Sequence, residues 1–278
     1  MMTDRQKRLG KEYLAFAIKT IIGIIFISPL IVGLCFSLQT DKQLMTYPLK
    51  LITDSPTIQN YVNVLTTIPL GRYFLNSVIV CFVTIVVQLI VACLTAYGFV
   101  YFEFPGKKTL FGLVLLTMMI PGQVVTITNY VTIQEMGLID SYLGLTLPSF
   151  VGGTSIFMLR QYFLQMPREL KESATIDGCG DMRFLFQIAV PLAIPTIASL
   201  AVYMFVNIYN GYFWPLLVTN SDEMRTIQIG IAFLVTGEAL NLGRVLAGAT
   251  VAIIPSVLIY IFGQDYIIKG MTQGSVKG

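Results

Sequence analysis

The segment 160–187, RQYFLQMPRELKESATIDGCGDMRFLFQ, holds four cationic and four acidic side chains in a 278-residue chain of which only 12% is charged. Gly178 and Gly180 interrupt its second half. The sequence on both sides is apolar, because residues 142–159 and 188–221 contain no Asp, Glu, Lys or Arg. Charge gathered between two apolar stretches indicates a connector outside a membrane, and the stretches themselves indicate membrane spans.

The whole chain has the composition of a membrane protein. It is 55% hydrophobic with a mean hydropathy of +0.75, more than a soluble core of this size needs. A soluble protein with buried core helices is the alternative, but such helices seldom run this long six times. We predict an all-α integral membrane protein, a single domain over 1–278, with six transmembrane helices near 13–38, 75–100, 109–132, 143–163, 188–210 and 246–264.

The first apolar block, 13–38, also has features of a secretory signal peptide, since basic residues precede it. The apolar run is longer than such peptides use, and no small-residue cleavage site follows Phe36 and Gln39. We expect a retained membrane span.

Basic residues predict the orientation of these helices, because cytoplasmic loops carry an excess of Lys and Arg. Twelve lie on the side of the N-terminus: Arg5, Lys7, Arg8, Lys11, Lys107, Lys108, Arg160, Arg168, Lys171, Arg183, Lys269 and Lys277. The other side holds five: Lys42, Lys50, Arg72, Arg225 and Arg244. Both termini and the segment 160–187 are therefore predicted to be cytoplasmic, and the net charge of +3 gives no reason to expect nucleic acid as a partner.

The apolar spans lack the chemistry of an energy source or an enzyme. The chain has no His, and spans two to six contain no Asp or Glu to take up a proton or a sodium ion. The segment 105–109, PGKKT, lacks the upstream glycine of a phosphate-binding loop, and the four cysteines form no CxxC pair for a metal. We predict no catalytic residue, no metal and no cofactor in this chain; energy for uphill transport must come from another subunit.

Helix breakers inside the predicted spans indicate a possible solute path. Pro121 and Gly122 interrupt span three, Pro148 with Gly152 and Gly153 interrupts span four, and further prolines stand at 191, 195 and 255. Such breaks persist where neighbouring helices or a wet cavity satisfy the freed carbonyls. The run 206–215, VNIYNGYFWP, adds amides and aromatic rings that suit a sugar or polyol, although an interfacial aromatic belt is an equally simple interpretation. The candidates for the path are Gln123, Asn207, Tyr209, Asn210 and Trp214.

The segment 160–187 itself predicts a short helix from Pro167 to Asp177. Proline suits the first helical position, and Gly178 suits the residue after the last turn. Asp181 is expected to cap a second helix that continues into span five. A helix that has a face of small residues and is held against a following helix is typical of a surface that binds a partner protein.

These residues resemble a known motif. The segment 172–195, ESATIDGCGDMRFLFQIAVPLAIP, is similar to the cytoplasmic coupling motif of ABC importer permeases, written E-A-A, three residues, G, nine residues, I, two residues and P. The matching positions are Glu172, Ala174, Asp177, Gly178, Ile188 and Pro191, with Ser173 replacing the first Ala. Further blocks, including FLNSVIV at 74–80 and KGMTQGSVKG at 269–278, resemble the maltose-type second permease of the carbohydrate-uptake branch.

The resemblance implies a type I ABC importer permease fold in the cell membrane of a prokaryote. It implies as partners a second, different permease, a cytoplasmic ABC ATPase dimer that binds ATP and Mg, an extracytoplasmic solute-binding protein, and the lipid bilayer. The coupling residues it implies are Glu172, Ser173, Ala174, Asp177, Gly178, Gly180 and Pro191. Glu172 and Asp177 would contact the ATPase, Ala174 would permit a close approach, and Gly178 would allow the turn.

The substrate stays open at this point. Blocks such as IDGCGDMRF and YNGYFWPLL also resemble the glycerol-3-phosphate importer permease, whereas the scarcity of cations in the spans fits a neutral oligosaccharide equally well. A passive six-span channel or facilitator is the main alternative function, and a membrane scaffold or receptor is a third.

Overall fold

The computed structural model describes residues 4–235 and 241–272, with side chains for 12–235 and 241–265. The described part of the chain is helical and contains no strand. Its elements before the charged connector are α1 (Asp4–Ser37), α2 (Asp41–Leu44), α3 (Gln59–Thr67), α4 (Leu70–Tyr101), α5 (Lys107–Met119), α6 (Gly122–Glu135), α7 (Tyr142–Thr146) with a 3-10 turn Leu147–Ser149, and α8 (Gly153–Leu164). After them come α9 (Arg168–Ile176), α10 (Asp181–Phe184), a π-helical turn Leu185–Ala189, α11 (Val190–Leu192), α12 (Ile194–Tyr209), α13 (Phe213–Val218), α14 (Ile227–Phe233) and α15 (Leu242–Thr272).

Among the residues that the structure describes, three helices are long and apolar enough to cross a membrane on their own. They are Glu12–Ser37 within α1, Leu70–Tyr101, and Leu242–Asp265 within α15. Three more crossings are possible if each of three bent helix pairs counts as one span. These pairs overlap the predicted spans three, four and five. The short helices α2, α3, α13 and α14 lie in segments to which the sequence assigned no span.

The predicted breaks in spans three and four are present. Span five also bends, between the two prolines expected to open it, and all three angles are large. The axis turns by 100° between α5 and α6, by 48° between α7 and α8, and by 75° between α11 and α12. Pro121 precedes α6 in an extended conformation, and the third break falls at Ala193, between two prolines. Proline removes a backbone donor, which explains why the helices stop at these points. Pro255, in contrast, lies inside the continuous helix α15.

The broken spans pack closely because Gly153 has no side chain. A Cβ atom on Gly153 would lie 2.8 Å from the Thr117 hydroxyl oxygen and 3.1 Å from the Val114 carbonyl oxygen. The start of α8 therefore rests directly on α5, close to the break that follows α5.

The chain divides into two compact units, residues 1–69 with 231–254 and residues 70–230 with 255–278. In the larger unit, α4 packs against α8 and α12. The core of this unit includes Tyr97 from α4, Leu159 and Phe163 from α8, and Leu200 from α12. The same core extends to Ala174 and Phe184, so it reaches the charged connector.

In the smaller unit, amide hydrogen bonds stabilise the segment that follows α1. The buried Asn60 side chain donates to the Ser37 and Gln39 carbonyl oxygens at 2.8 and 2.7 Å, fixing the chain reversal that follows α1. The side chains of Arg5, Lys7, Arg8 and Lys11, and most of the block 269–278 with Lys277, lie outside the described residues.

Candidate partner-docking site

The connector between α8 and α10 contains the helix that the sequence predicted, slightly shorter. Pro167 is extended and precedes the helix, which begins at Arg168 and ends at Ile176 with Asp177 as its last half-helical residue. The predicted loop began at residue 160, but α8 continues to Leu164, so the true connector is shorter by about one helical turn. Helical residues thus occupy most of the segment predicted as a loop.

Gly178 ends this helix as predicted. Its φ of 77° lies in the left-handed region that glycine adopts without strain. The Gly178 amide donates to the Thr175 carbonyl oxygen at 3.0 Å, and the Cys179 amide donates to the Ala174 carbonyl oxygen at 2.8 Å. This pair of bonds is the Schellman arrangement, which satisfies the last carbonyl groups of a helix and reverses the chain sharply.

α9 has one buried and one exposed face. Ala174 is only 7% exposed and packs into the core of the larger unit, so the close approach that its small side chain permits is made to the protein itself. Glu172, Ser173 and Asp177 are exposed, and neither carboxylate pairs with a cation among the described residues. Ile176 is 85% exposed at the end of the helix, and sequence reasoning did not select it.

The second helix of the connector does not use Asp181 as its cap, so that prediction is wrong. Gly180 occupies the N-cap position and Asp181 is the first helical residue. The Asp181 carboxylate instead accepts hydrogen bonds from Lys171 at 2.6 Å and from the Tyr97 hydroxyl at 3.0 Å. Lys171 and the Tyr97 hydroxyl donate to the carboxylate in place of the backbone amides of the helix, none of which bonds to it in the described structure.

The pKa of Lys171 reflects this environment. Partial burial of the ammonium group opposes its charge, but the ion pair with Asp181 and the nearby Tyr97 side chain outweigh burial and raise the pKa above its ordinary value. Lys171 is therefore charged at neutral pH.

Pro191 lies just past a wide helical turn. The π-helical turn Leu185–Ala189 precedes it, and the Leu192 carbonyl oxygen at the following break accepts a hydrogen bond from the Tyr162 hydroxyl at 2.5 Å. α8 thus satisfies a carbonyl that the break would otherwise leave unpaired.

A cavity of about 310 Å³ opens beside α9. Its lining brings together Arg168, Lys171 and Glu172 from α9 with Tyr101, the last residue of α4, and Glu103, two residues beyond it. Arg160, predicted as a loop residue, lies instead in α8, where its guanidinium group stands 3.9 Å above the Phe111 ring centre.

The path candidates of span five are mostly engaged within the protein. The Asn207 and Asn210 amides each donate to the carbonyl one turn earlier, at 2.8 Å, although both residues are exposed. Tyr209 is buried and stacks on Phe205 with ring centres 5.1 Å apart. Trp214 donates to the Gly144 and Leu145 carbonyl oxygens at 3.2 Å.

Gln123, the remaining path candidate, is exposed in the first turn of α6. Among the described residues, no hydrogen bond or ring contact joins Gln123 to the other four path candidates. In the described part of the chain, no group of three His, Cys, Asp or Glu side chains is placed to hold a metal ion, and all four cysteines are free.

The other end of α4 holds a second connector, the segment 219–227. Tyr73 donates to the Asp222 carboxylate at 3.1 Å, and Arg225 pairs with the same carboxylate. The fully buried Asn76 amide donates to the Glu223 and Arg225 carbonyl oxygens at 2.8 and 2.9 Å, and its oxygen accepts from the Tyr142 hydroxyl. Ser77 accepts from the Ile227 amide.

The arrangement of bent apolar helices with one charged, exposed helix is that of an ABC importer permease. A crystal structure of a bacterial ABC transporter involved in the import of the acidic polysaccharide alginate superposes with a TM-score of 0.81 over 96% of this chain and 99% of that chain, at 20% identity. A second structure, the alginate transporter with a periplasmic protein that carries an alginate pentasaccharide, superposes with a TM-score of 0.58.

The family follows from the sequence match. The chain belongs to the inner membrane components of binding-protein-dependent transport systems, whose model matches residues 57–273. It is 34% identical over 260 residues to the arabinooligosaccharides transport system permease protein AraQ of Halalkalibacterium halodurans, covering 92% of this chain and 93% of that protein. It is also 34% identical over 263 residues to the sn-glycerol-3-phosphate transport system permease protein UgpE of Brucella suis, covering 91% and 93%.

Proposed function

We propose that this chain is one of two permease subunits of an ATP-driven, binding-protein-dependent importer for a carbohydrate-type solute. It would form half of the translocation path and contain no catalytic residue. A second, different permease would supply the other half, a pair of ABC ATPase subunits would bind ATP and Mg, and a solute-binding protein would deliver the cargo.

One observation supports coupling through α9 most strongly. The helix is fixed to the permease through Ala174 and Lys171, whereas Glu172 and Ile176 are exposed. A helix that is anchored on one face and free on the other can transmit a push from a partner to the rest of the protein. Glu172 and Asp177 would form polar or ionic contacts with the ATPase, and Ile176 would add an apolar contact.

We propose six membrane crossings with both termini in the cytoplasm. Each of the three bent helix pairs would form one crossing. Basic residues are in excess near the termini, at the start of α5 and in the α8–α10 connector, and this excess would place those three regions on the cytoplasmic side. The break angles remain compatible with this arrangement because polar groups of neighbouring helices, such as the Tyr162 hydroxyl, satisfy the freed carbonyls.

The cargo that these observations favour is a sugar, an oligosaccharide or a polyol phosphate. Two relatives at equal identity are named for arabinooligosaccharides and for sn-glycerol-3-phosphate. The Arg160 guanidinium stacks on Phe111 near the end of α8, so this cation is not displayed towards a mid-membrane path. A neutral oligosaccharide therefore fits this subunit as well as an anion does, and the second permease would supply the cations that an anion needs.

The test is ATP-driven uptake by the reconstituted complex of both permeases, the ATPase pair and the binding protein. Radiolabelled arabinooligosaccharide and glycerol-3-phosphate serve as probes in parallel. We expect uptake of one probe, and we expect Glu172→Lys to abolish it while membrane insertion is unchanged. Glu135→Lys, the same charge reversal at the exposed end of α6, is the matched control and should transport normally.

Normal uptake by the Glu172→Lys complex would contradict coupling through α9. Solute flux through the permeases without the ATPase and without ATP would instead identify a passive channel.

A further inference from the structure

One carboxylate oxygen ties α9 to two other parts of the permease. Asp181 Oδ1 accepts from Lys171 Nζ at 2.6 Å and from the Tyr97 hydroxyl at 3.0 Å. Lys171 belongs to α9, Asp181 starts α10, and Tyr97 lies in the last turns of α4. The ion pair also bridges the glycine turn at Gly178, because its partners stand ten residues apart on opposite sides of that turn.

The surroundings make this contact stronger than an ordinary surface ion pair. The Lys171 side chain is 20% exposed and that of Asp181 is 47% exposed. Beneath them lie the buried rings of Phe184 and Tyr97, whose centres are 4.6 and 5.8 Å from Lys171 Nζ. Exposed ion pairs contribute little, whereas a cation held over aromatic faces and partly removed from water contributes more.

The ion pair also restrains sliding and rotation of α9, which apolar packing alone does not. The buried residue of α9 is Ala174, whose methyl group resists separation from the core but has no directional preference. A hydrogen-bonded ion pair has a preferred distance and angle, so it resists sliding and rotation of the helix as well.

We propose that Lys171, Asp181 and Tyr97 form the link through which a displacement of α9 is passed to α4. This inference rests on the proposed function, in which the ATPase moves α9. The three are positioning residues, since none would touch ATP or solute. Without the link, the turn at Gly178 would act as a hinge. The ATPase would then displace α9 without displacing α4.

The experiment measures solute transported per ATP hydrolysed, since a purely stabilising contact would change the amount of folded complex and leave this ratio constant. We expect Lys171→Met to lower the ratio about tenfold, within the range typical of coupling free energies, with the ATPase still bound. Lys171→Arg keeps the charge and should stay within about twofold of the wild type. Lys108→Met removes an exposed cation from the same predicted side and should leave the ratio unchanged.

Tyr97→Phe gives a second, milder variant if the Lys171→Met complex does not assemble. It removes one hydroxyl and keeps the buried ring, and we expect it to lower the ratio as well. A wild-type ratio in either assembled variant would overturn the link while leaving the proposed function intact. Absence of ATP-driven uptake in the wild-type complex would contradict the proposed function itself, and with it the link.

A readout without transport uses spin labels on α9 at position 176 and on α4 at position 94, both exposed. We expect a narrow distance distribution in the wild-type complex with and without ATP, and a broad one in the Lys171→Met complex. A distribution of equal width in both would overturn the link.

Discussion

The two ends of α4 hold their neighbouring connectors with the same chemistry but with different redundancy. At each end a tyrosine of α4 donates to an aspartate that also pairs with a cation: Tyr97 with Asp181 and Lys171, Tyr73 with Asp222 and Arg225. At the Tyr73 end, Asn76 and Ser77 add hydrogen bonds to the same connector. At the Tyr97 end, the hydrogen bond from Tyr97 and the ion pair share one carboxylate. The other contacts there are apolar or aromatic, through Ala174 and the Phe184 ring, apart from a long contact of the Tyr101 hydroxyl with the Met166 sulfur at 3.8 Å.

This difference indicates different tasks. A segment held by several independent hydrogen bonds keeps its shape when one is lost, as a static support must. A segment held by fewer strong hydrogen bonds and by apolar contacts can change its position as a unit, as a moving coupling element must. We therefore expect substitutions at the Tyr97 end to change coupling, and substitutions at the Tyr73 end to change stability.

The largest effect is expected when the turn at the coupling end is broken. Gly178→Val forces a β-branched residue to a φ of 77°, at a cost of about 2 kcal/mol, more than a tenfold shift of an equilibrium. ATP-driven uptake should fall at least about tenfold, because the end of α9 can no longer form. Gly71→Val, at the opposite end of α4, is the matched control. Gly71 is helical and a Cβ there would meet no atom within 4 Å, so uptake should be close to normal.

The next effect is a loss of stability at the static end. Asn76→Ala removes a fully buried amide and leaves the Glu223 and Arg225 carbonyls and the Tyr142 hydroxyl without that partner. We expect the free energy of unfolding to fall by about 2–3 kcal/mol, measured by thermal unfolding in detergent. Solute transported per ATP should not change in the complex that remains folded. A changed ratio would remove the distinction between the two ends.

A smaller effect is expected at Asp140, which holds the start of the same connector. Partial burial opposes its charge, but the Ser221 and Asn220 amides donate to the carboxylate at about 3.0 Å and hold its pKa below the ordinary value. A lowered pKa stabilises the folded state above about pH 4, and this contribution is lost as the pH falls through the folded-state pKa.

Asp140→Asn should therefore cost about 1 kcal/mol at pH 7. The difference from the wild type should shrink as the pH falls from about 5 to 3. A difference that is constant over this range would show that the charge of Asp140 does not contribute.

The smallest effect is expected for Tyr73→Phe, the counterpart of Tyr97→Phe. Asp222 keeps its pairing with Arg225, so we expect a loss of about 0.5–1 kcal/mol in stability and a wild-type amount of solute per ATP. If both Tyr→Phe variants changed the ratio equally, the two ends of α4 would be equivalent.

Local backbone chemistry made much of the fold predictable. Pro121 lacks an amide donor and Gly178 tolerates a positive φ, and each acts within a few residues of its own position. The breaks and the end of α9 were therefore visible in the sequence. The resemblance of 172–195 to a family motif located the connector, and the family match agrees with it.

The side-chain partners were not predictable, because they come from distant parts of the chain. Tyr97 reaches Asp181 across 84 residues, and Trp214 reaches Gly144 across 70. Asp181 was assigned to a helix cap because its neighbours alone favour that role. The contact made by Ala174 was not predictable either. A small side chain permits close approach to a partner or to the protein's own core, and the sequence does not distinguish the two.

Cross-linking of α9 to the ATPase tests most directly whether the ATPase binds this helix. All four native cysteines are replaced, and a single cysteine is placed at position 176, which is 85% exposed on α9, or at position 52, which is 77% exposed in the segment after α1. In the assembled complex, Ile176→Cys should form an adduct with the ATPase subunit, and Ile52→Cys should form none. Absence of an adduct from position 176, or equal yields of adduct from both positions, would show that α9 is not the surface that the ATPase binds.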